Sequence, residues 1–222
     1  MRVLLLGHGR MGKLVESLAP EYGATIAGVI DEHAGEIAPA DVAIDFTLAD
    51  AVPKNLPRLA DRKINVVIGT TGWQAHEGAM RAIAEKAGIG VLAASNFSLG
   101  MNIFQLAVEE ATRNFAKHPE FGAWIHESHH VMKKDAPSGT ALSIKQAMEQ
   151  AGYTRPIDVS STRAGAVPGT HTVGFDGPSE TIKLTHTVRD RAVFARGALV
   201  AAKWLIGRHG WFSIRDLLKA QS

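Results

Sequence analysis

Along the first hundred positions, apolar residues fall in short runs separated by polar stretches with helical spacing. The runs Val3–Leu6, Thr25–Ile30, Val42–Phe46, Asn65–Ile68 and Ile89–Ala93 have strand length. Amphipathic stretches such as Met11–Tyr22 and His76–Ala87 lie between them. Alternation of this kind predicts right-handed crossovers and a parallel sheet with helices on its faces, an α/β layer. Only eleven residues, Asp31–Asp41, separate the second run from the third, so that crossover is an abbreviated one.

From Ser98 to Ala116 the pattern is helical, with Met101, Phe104, Val108, Ala111 and Phe115 three or four apart. The texture then changes. Ile157–Arg163, His171–Phe175 and Thr181–Val188 read as strands, separated by the Gly/Pro-rich turns Ala164–Gly169 and Asp176–Ser179. Ile182, Leu184, His186 and Val188 share one face, as in a half-buried antiparallel strand. Helical patterns over Phe194–Ile206 and Ile214–Ala220 close the chain. The expected organisation is two domains, residues 1–98 with 198–222 and residues 99–197. The second is an α+β domain on a mixed or antiparallel sheet.

Composition narrows the function classes. Hydrophobic residues at 45% and charged residues at 21% exclude wholesale disorder. The 24 basic and 22 acidic side chains leave a formal charge of +2, which gives no argument for a nucleic-acid or membrane-surface partner. Cysteine is absent, which excludes disulfides and thiolate metal sites and fits a reducing cytosol. The apolar run Val3–Leu6 stops at Gly7, too short for a signal-peptide core, and no apolar stretch approaches the ~20 residues of a membrane span. The expectation is a soluble, cytoplasmic protein.

The first strand runs into Gly7-His8-Gly9-Arg10-Met11-Gly12, a G-x-G-x-x-G turn before a helix. Gly7 permits the tight turn, Gly9 lets a pyrophosphate approach the backbone, and Gly12 lets the helix pack closely. The exposed N–H groups and the helix dipole favour phosphates. Asp31 follows Gly12 by nineteen residues at the end of the second strand, close to where a ribose-binding carboxylate belongs in a Rossmann-like unit. A carboxylate there repels a 2′-phosphate, and the residues after it are Glu32 and His33, with no arginine. NADH is therefore expected ahead of NADPH. Two further strand ends, Gly69-Thr70-Thr71-Gly72 and Ala94-Ser95-Asn96-Phe97-Ser98, offer small and hydroxyl groups for a nicotinamide ribose; Thr71 and Ser98 could equally cap the next helices.

The densest chemistry lies between Trp124 and Ala141. His126-Glu127-Ser128-His129-His130 matches H-E-x-x-H, but zinc chemistry needs that motif on a helix with a third ligand. Pro137 leaves little room for one, and Lys133 and Lys134 would set positive charge beside a cation. A strand ending near His130 is the better reading, with no metal and with His126 structural. His129 and His130 then face opposite ways. Ser138-Gly139-Thr140 opens a helix whose N–H groups suit an anion. Imidazole, ammonium and a helix N-terminus together describe a site that binds a carboxylate and delivers a proton.

Gly7–Gly12, Gly69–Gly72, Asn96–Ser98 and above all His129-His130-Val131-Met132-Lys133-Lys134-Asp135-Ala136-Pro137-Ser138-Gly139-Thr140-Ala141 resemble the 4-hydroxy-tetrahydrodipicolinate reductase family. Arg163-Ala164-Gly165, Gly169-x-His171, Leu184-Thr185-His186 and Phe194-Ala195-x-Gly197-Ala198 extend the resemblance over nearly the whole chain. It implies a nicotinamide-dependent reduction of a cyclic dicarboxylate imine, with loss of water, to tetrahydrodipicolinate. By matching positions, His129 is similar to the family's proton donor and Lys133 to its second donor. His130, Ser138, Gly139 and Thr140 look like substrate-carboxylate contacts. The cofactor contacts implied are Gly7, His8, Gly9, Arg10, Met11, Gly12, Asp31, Gly69, Thr70, Thr71, Ala94, Ser95, Asn96 and Phe97. A homotetramer with its interface on the second domain is implied as well. This chain departs in its short Asp31–Asp41 connection, in Glu32 where arginine is frequent among NADPH users, and in Ser95 where proline or alanine is common. A related amino-acid or semialdehyde dehydrogenase would share the cofactor half but would not need Asp135–Thr140.

Overall fold

The runs Val3–Leu6, Val42–Asp45 and Asn65–Ile68 are buried along their whole length, which a parallel sheet covered on both faces accommodates, while Thr25–Ile30 at the sheet edge is only half-buried. The computed structural model describes residues 1–31 and 36–220. It divides into two compact units, Met1–Leu99 with Ala192–Ser222, and Gly100–Arg191. Glu32, the position after the expected ribose acid, lies outside the described residues.

The first unit carries strands β1 (Arg2–Leu6), β2 (Thr25–Ile30), β3 (Val42–Asp45), β4 (Asn65–Ile68), β5 (Gly90–Ala93) and β10 (Gly210–Phe212). They form one parallel sheet in the order β10-β5-β4-β3-β1-β2. Alternate residues feed two cores. Val3, Leu5, Ile44, Val67 and Leu92 pack with helices α1 (Arg10–Leu18), α6 (Ala192–Leu205) and α7 (Ile214–Lys219). Leu4, Leu6, Ala43, Val66 and Val91 pack with α2 (Val52–Asp61) and α3 (Glu77–Ala87). Helix α6 is continuous from Ala192, so the unit boundary falls there.

Several local expectations shift. The helical stretch Met11–Tyr22 is an α-helix only to Leu18 and tightens to a 3₁₀ turn over Ala19–Tyr22. Pro20 is the reason, since it has no N–H to give and disfavours α geometry in the residue before it. No helix occupies residues 36–40, in keeping with an abbreviated connection. Strand β10 and helix α2 are additional to the sequence reading. Thr71 caps no helix: the next 3₁₀ turn and α3 begin at Gln74 and Glu77, after the N-cap residues Trp73 and His76, without side-chain caps.

The second unit holds a four-stranded mixed sheet, β7-β6-β8-β9, from β6 (Gly122–His129), β7 (Ile157–Arg163), β8 (Thr170–Asp176) and β9 (Thr181–Thr187). Strands β6 and β7 are parallel and the other pairs antiparallel. Helices α4 (Leu99–Phe115) and α5 (Gly139–Gln150) contribute Met101, Phe104, Val108, Ile144 and Met148 to a core with Ile125, Val173 and Phe175. This alternation leaves β6 with a buried row of Ala123, Ile125, Glu127 and His129. Among the described residues no helix is long and apolar enough to cross a membrane.

One polar side chain ties the sheet of the first unit to its helix. Asn65, buried on β4, donates to the Leu205 carbonyl at 2.8 Å and accepts from the Gly90 N–H at 2.8 Å. Asn65→Ala strands the Gly90 N–H, at about 1–3 kcal/mol, and removes one of two bonds from the Leu205 carbonyl, which still accepts from the Arg208 N–H at 3.1 Å. Urea unfolding should show stability lost on that scale, and an unchanged midpoint would contradict the assignment.

Candidate active site

In the first unit the glycine turn is built as a cradle. Gly7 has φ +85°, and a Cβ on it would meet the Phe46 carbonyl oxygen at 2.6 Å; a Cβ on Gly12 would land on the Gly7 carbonyl. Gly7 and Gly12 admit no side chain where β1 bends into α1, whereas a Cβ on Gly9 would meet nothing of the protein. The N-cap of α1 is Gly9, with no side-chain cap and no acidic residue in the first turn, which leaves the N–H groups for an anion. Gly7, Gly9 and Asp31 line a cavity of about 420 Å³, together with Thr47, Lys54 and Arg58. These residues fit a dinucleotide: open space above Gly9 at the turn and a carboxylate just past β2.

Asp45, at the end of β3, orders the neighbouring loops. It is fully buried and accepts from the Thr47 N–H at 2.9 Å, Asn55 at 3.2 Å and Thr70 at 3.0 Å. Thr70, Ala94 and Ser95 line a second cavity of about 460 Å³, with Trp73, Trp211 and Phe212. Gly69 is half-buried and Thr71 exposed. Phe97 is buried in the core against Phe46, with its carbonyl packed on Gly197, so its side chain offers no ligand contact. His8 bonds Glu16 at 2.7 Å, Arg10 is exposed, and Met11 packs partly into the core. Asn96 Oδ1 accepts from the Ser98 N–H at 2.9 Å, shaping the loop after β5.

In the second unit the H-E-x-x-H segment is strand, so His126 and His130 cannot converge on a metal. His126 points away from the core and bonds Ser160 at 2.9 Å. Glu127 and His129 point inward. Arg163, at the end of β7, grips the Glu127 carboxylate with two bonds of 2.7 and 3.0 Å. The same carboxylate accepts from His129 Nδ1 and, at 3.2 Å, from the Ser138 N–H. Ser138 is buried, and its hydroxyl caps α5 by accepting from the Ala141 N–H at 3.2 Å. His171 Nε2 lies 3.3 Å from that hydroxyl, with its ring edge-on to His129 at 5.1 Å. Lys133 Nζ sits 2.8 Å from Asp135, whose other oxygen accepts from the Gly139 N–H at 3.4 Å. His130 is half-buried just past the strand, and Thr140 half-buried in the first turn of α5.

Electrostatics sort these groups. Burial pushes the Glu127 carboxyl up, but hydrogen bonds from Arg163, Ser161 and His129 overcome it and hold the group to about 2. Burial pushes His129 below its ordinary value, against the pull of Glu127 and with the help of Lys133 and Arg163. His171 is driven down to about 4, first by burial and then by His129. Both imidazoles are therefore neutral at neutral pH. Glu127, His129 and His171 could in principle gather round a cation, but both Glu127 oxygens are already committed to Arg163, whose charge opposes one.

The structure thus gathers His129, Lys133, Ser138 and Gly139 around the Glu127 and Asp135 carboxylates, with Thr140 next in the first turn of α5 and His130 just past β6. Glu127 and Arg163 stand within motifs of the sequence analysis, but neither is given a site role there. Glu127 had one available signal: it stands two residues before His129, in an otherwise apolar inward row.

Comparison with known proteins agrees over the full length. Family models described as dihydrodipicolinate reductase, N-terminus, and dihydrodipicolinate reductase, C-terminus, match residues 1–97 and 100–218. The 4-hydroxy-tetrahydrodipicolinate reductase of Xanthomonas axonopodis pv. citri is 42% identical, covering 98% of each chain. That of Christiangramia forsetii is 35% identical with the same coverage. In fold, the dipicolinate-bound dihydrodipicolinate reductase from Paenisporosarcina sp. TG-14 superposes with a TM-score of 0.84 at 19% identity, over 96% of this chain and 97% of that one.

The buried neutral His171 has a consequence for stability. Its folded value of about 4 lies below the ordinary 6.5, so between the two the unfolded chain binds the extra proton and falling pH favours unfolding. His171→Gln removes that proton uptake. Urea unfolding at about pH 7.5 and about pH 5 should show a smaller loss of stability for the variant than for the wild type. An identical loss would contradict the burial of a neutral imidazole.

Proposed function

The chain belongs to the dihydrodipicolinate reductase family, and on that premise we propose how its residues share out the family's reaction. That reaction is the NAD(P)H-dependent reduction of 4-hydroxy-tetrahydrodipicolinate to tetrahydrodipicolinate, with loss of water, in lysine and diaminopimelate biosynthesis. The observation that carries the assignment of roles is the grouping of His129, Lys133 and the N-terminus of α5 in the second unit.

The ring to be reduced carries two carboxylates. The Lys133 ammonium and the N–H groups of Gly139 and Thr140, in a first turn with no acidic residue, hold one of them, and His130 stands beside the other. Asp135 occupies both Lys133 and the Gly139 N–H in the free protein, so a substrate carboxylate displaces it. Ser138 serves by fixing the first turn of α5, since its hydroxyl is spent as the cap. Bound NAD(P)H supplies the hydride. His129 supplies a proton at Nε2, assisted by Lys133. Because His129 is neutral in the free protein, its proton arrives with the substrate: a dianion beside the ring favours the imidazolium.

The glycine turn Gly7–Gly12, with His8, Arg10 and Met11, holds the pyrophosphate end of the cofactor. Gly69, Thr70, Thr71 and the loop Ala94–Phe97 border the nicotinamide end. NADH is the preferred reductant, because Asp31 lines the cavity at the end of β2 where a 2′-phosphate would lie. Lys54 and Arg58 line that cavity too and let NADPH serve as the second choice. In this reading the protein works in the cytoplasm as a homotetramer assembled through its second unit.

A coupled assay with freshly prepared substrate, run with NADH and NADPH in parallel, tests the reading. His129→Ala and Lys133→Ala should each lower kcat by about 10²–10⁴-fold while NADH binding persists. Gly139→Val should mainly raise KM, by blocking the helix end. Wild-type turnover in either of the first two variants would contradict the roles given, and a higher kcat/KM with NADPH would contradict the cofactor preference.

A further inference from the structure

Glu127 is the most completely buried charge among the described residues of the second unit, with no exposed surface. Taking a carboxylate out of water is costly, and the cost is recovered only by well-aligned partners. Here the partners fill both oxygens. Oε1 accepts from Arg163 Nη2 at 2.7 Å and from the Ser138 N–H at 3.2 Å, and Oε2 accepts from Arg163 Nη1 at 3.0 Å and from His129 Nδ1. The guanidinium fork and the backbone N–H prevent the carboxylate from swinging. Arg163 is fixed in turn by the carbonyls of Asp135 at 2.6 Å and Thr162 at 2.8 Å.

An ionised carboxylate only accepts hydrogen bonds. The His129 nitrogen bonded to it must therefore carry the proton, which leaves the lone pair on Nε2. That nitrogen points to Gly169, where a Cβ would come within 3.1 Å and where φ of +150° suits glycine. The missing side chain keeps Nε2 approachable. The charged and titratable groups facing the ring are Glu127 on its own strand, Arg163 on β7, His171 on β8, and Lys133 in the loop that follows.

We propose that Glu127, clamped by Arg163, is the positioning residue of His129: it selects the Nδ1–H tautomer, holds Nε2 toward the space left by Gly169, and steadies the imidazolium formed when Nε2 takes up a proton. The proposal rests on the reading of His129 as the proton donor. Arg163 alone would neutralise Glu127, so a purely structural ion pair would not require the bond to His129.

The test is tautomer spectroscopy with kinetics on the full chain. Long-range proton–nitrogen NMR of the histidine-labelled wild type should show His129 protonated at Nδ1 and bare at Nε2. In Glu127→Gln the single amide oxygen is claimed by Arg163 and the Ser138 N–H, which turns the NH₂ toward Nδ1 and forces the proton to Nε2. The expected result is that inversion, with kcat lowered by about 10²-fold or more and substrate KM within a few-fold. Glu127→Asp, which keeps the charge, should recover part of the kcat and the original tautomer. A tautomer unchanged in Glu127→Gln overturns the proposal, whatever happens to kcat. A tautomer that inverts with kcat intact supports the positioning role and instead sinks the proton-donor role of His129. If Glu127→Gln does not fold, the wild-type spectrum decides: a proton on Nε2 overturns the proposal and a proton on Nδ1 upholds it.

Discussion

A carboxylate without solvent contact has to be surrounded by donors, and in the second unit that requirement arranges the groups around the proposed proton donor. Glu127 draws in the guanidinium at the end of β7, the imidazole two residues along its own strand, and the backbone of the residue that caps α5. Three separate pieces of chain, at Glu127, Ser138 and Arg163, are thus fixed to one point. Removing one member of such a buried set typically costs about 3–5 kcal/mol, because the charge that remains has lost its compensation. The arrangement that stabilises the unit also fixes the His129 ring, with Nε2 toward the side-chain-free Gly169, and the first turn of α5.

A similar device organises the first unit. Asp45, buried at the end of β3, gathers Thr47, Asn55 and Thr70 and so shapes the loops beyond the strand ends where ligands bind in sheets of this topology. Each unit also presents a helix N-terminus with no acidic residue in its first turn, α1 behind the glycine turn and α5 behind Ser138. In the proposed reading both ligands of the reaction are anions, met by backbone dipoles held on rigid elements. A preorganised field of that kind needs no rearrangement when charge develops.

The parts of this design that repeat along the chain are readable in the sequence. The apolar runs of β1 to β5 and the glycine turn after β1 follow local rules of spacing, and so does the helix opened by Ser138. Helix α2 is harder to read, because Pro53 and Pro57 interrupt a pattern that Val52, Leu56, Leu59 and Ala60 otherwise keep. Strand β10 is three residues long, too short to show a period. The pairing of Glu127 with Arg163 joins residues 36 positions apart through the parallel register of β6 and β7, and nothing local announces it. The H-E-x-x-H spacing even misdirects, since the relation that matters in a strand is the two-residue step from Glu127 to His129.

The account stands most directly on what occupies the space between His129 Nε2, Lys133 and the N-terminus of α5. A crystal structure with pyridine-2,6-dicarboxylate, a flat analogue of the doubly charged ring, reads that space. The account predicts a carboxylate against the Gly139 and Thr140 N–H groups, with Lys133 released from Asp135 and the ring beside Nε2. The ligand bound elsewhere, with Asp135 still on Lys133, would contradict it.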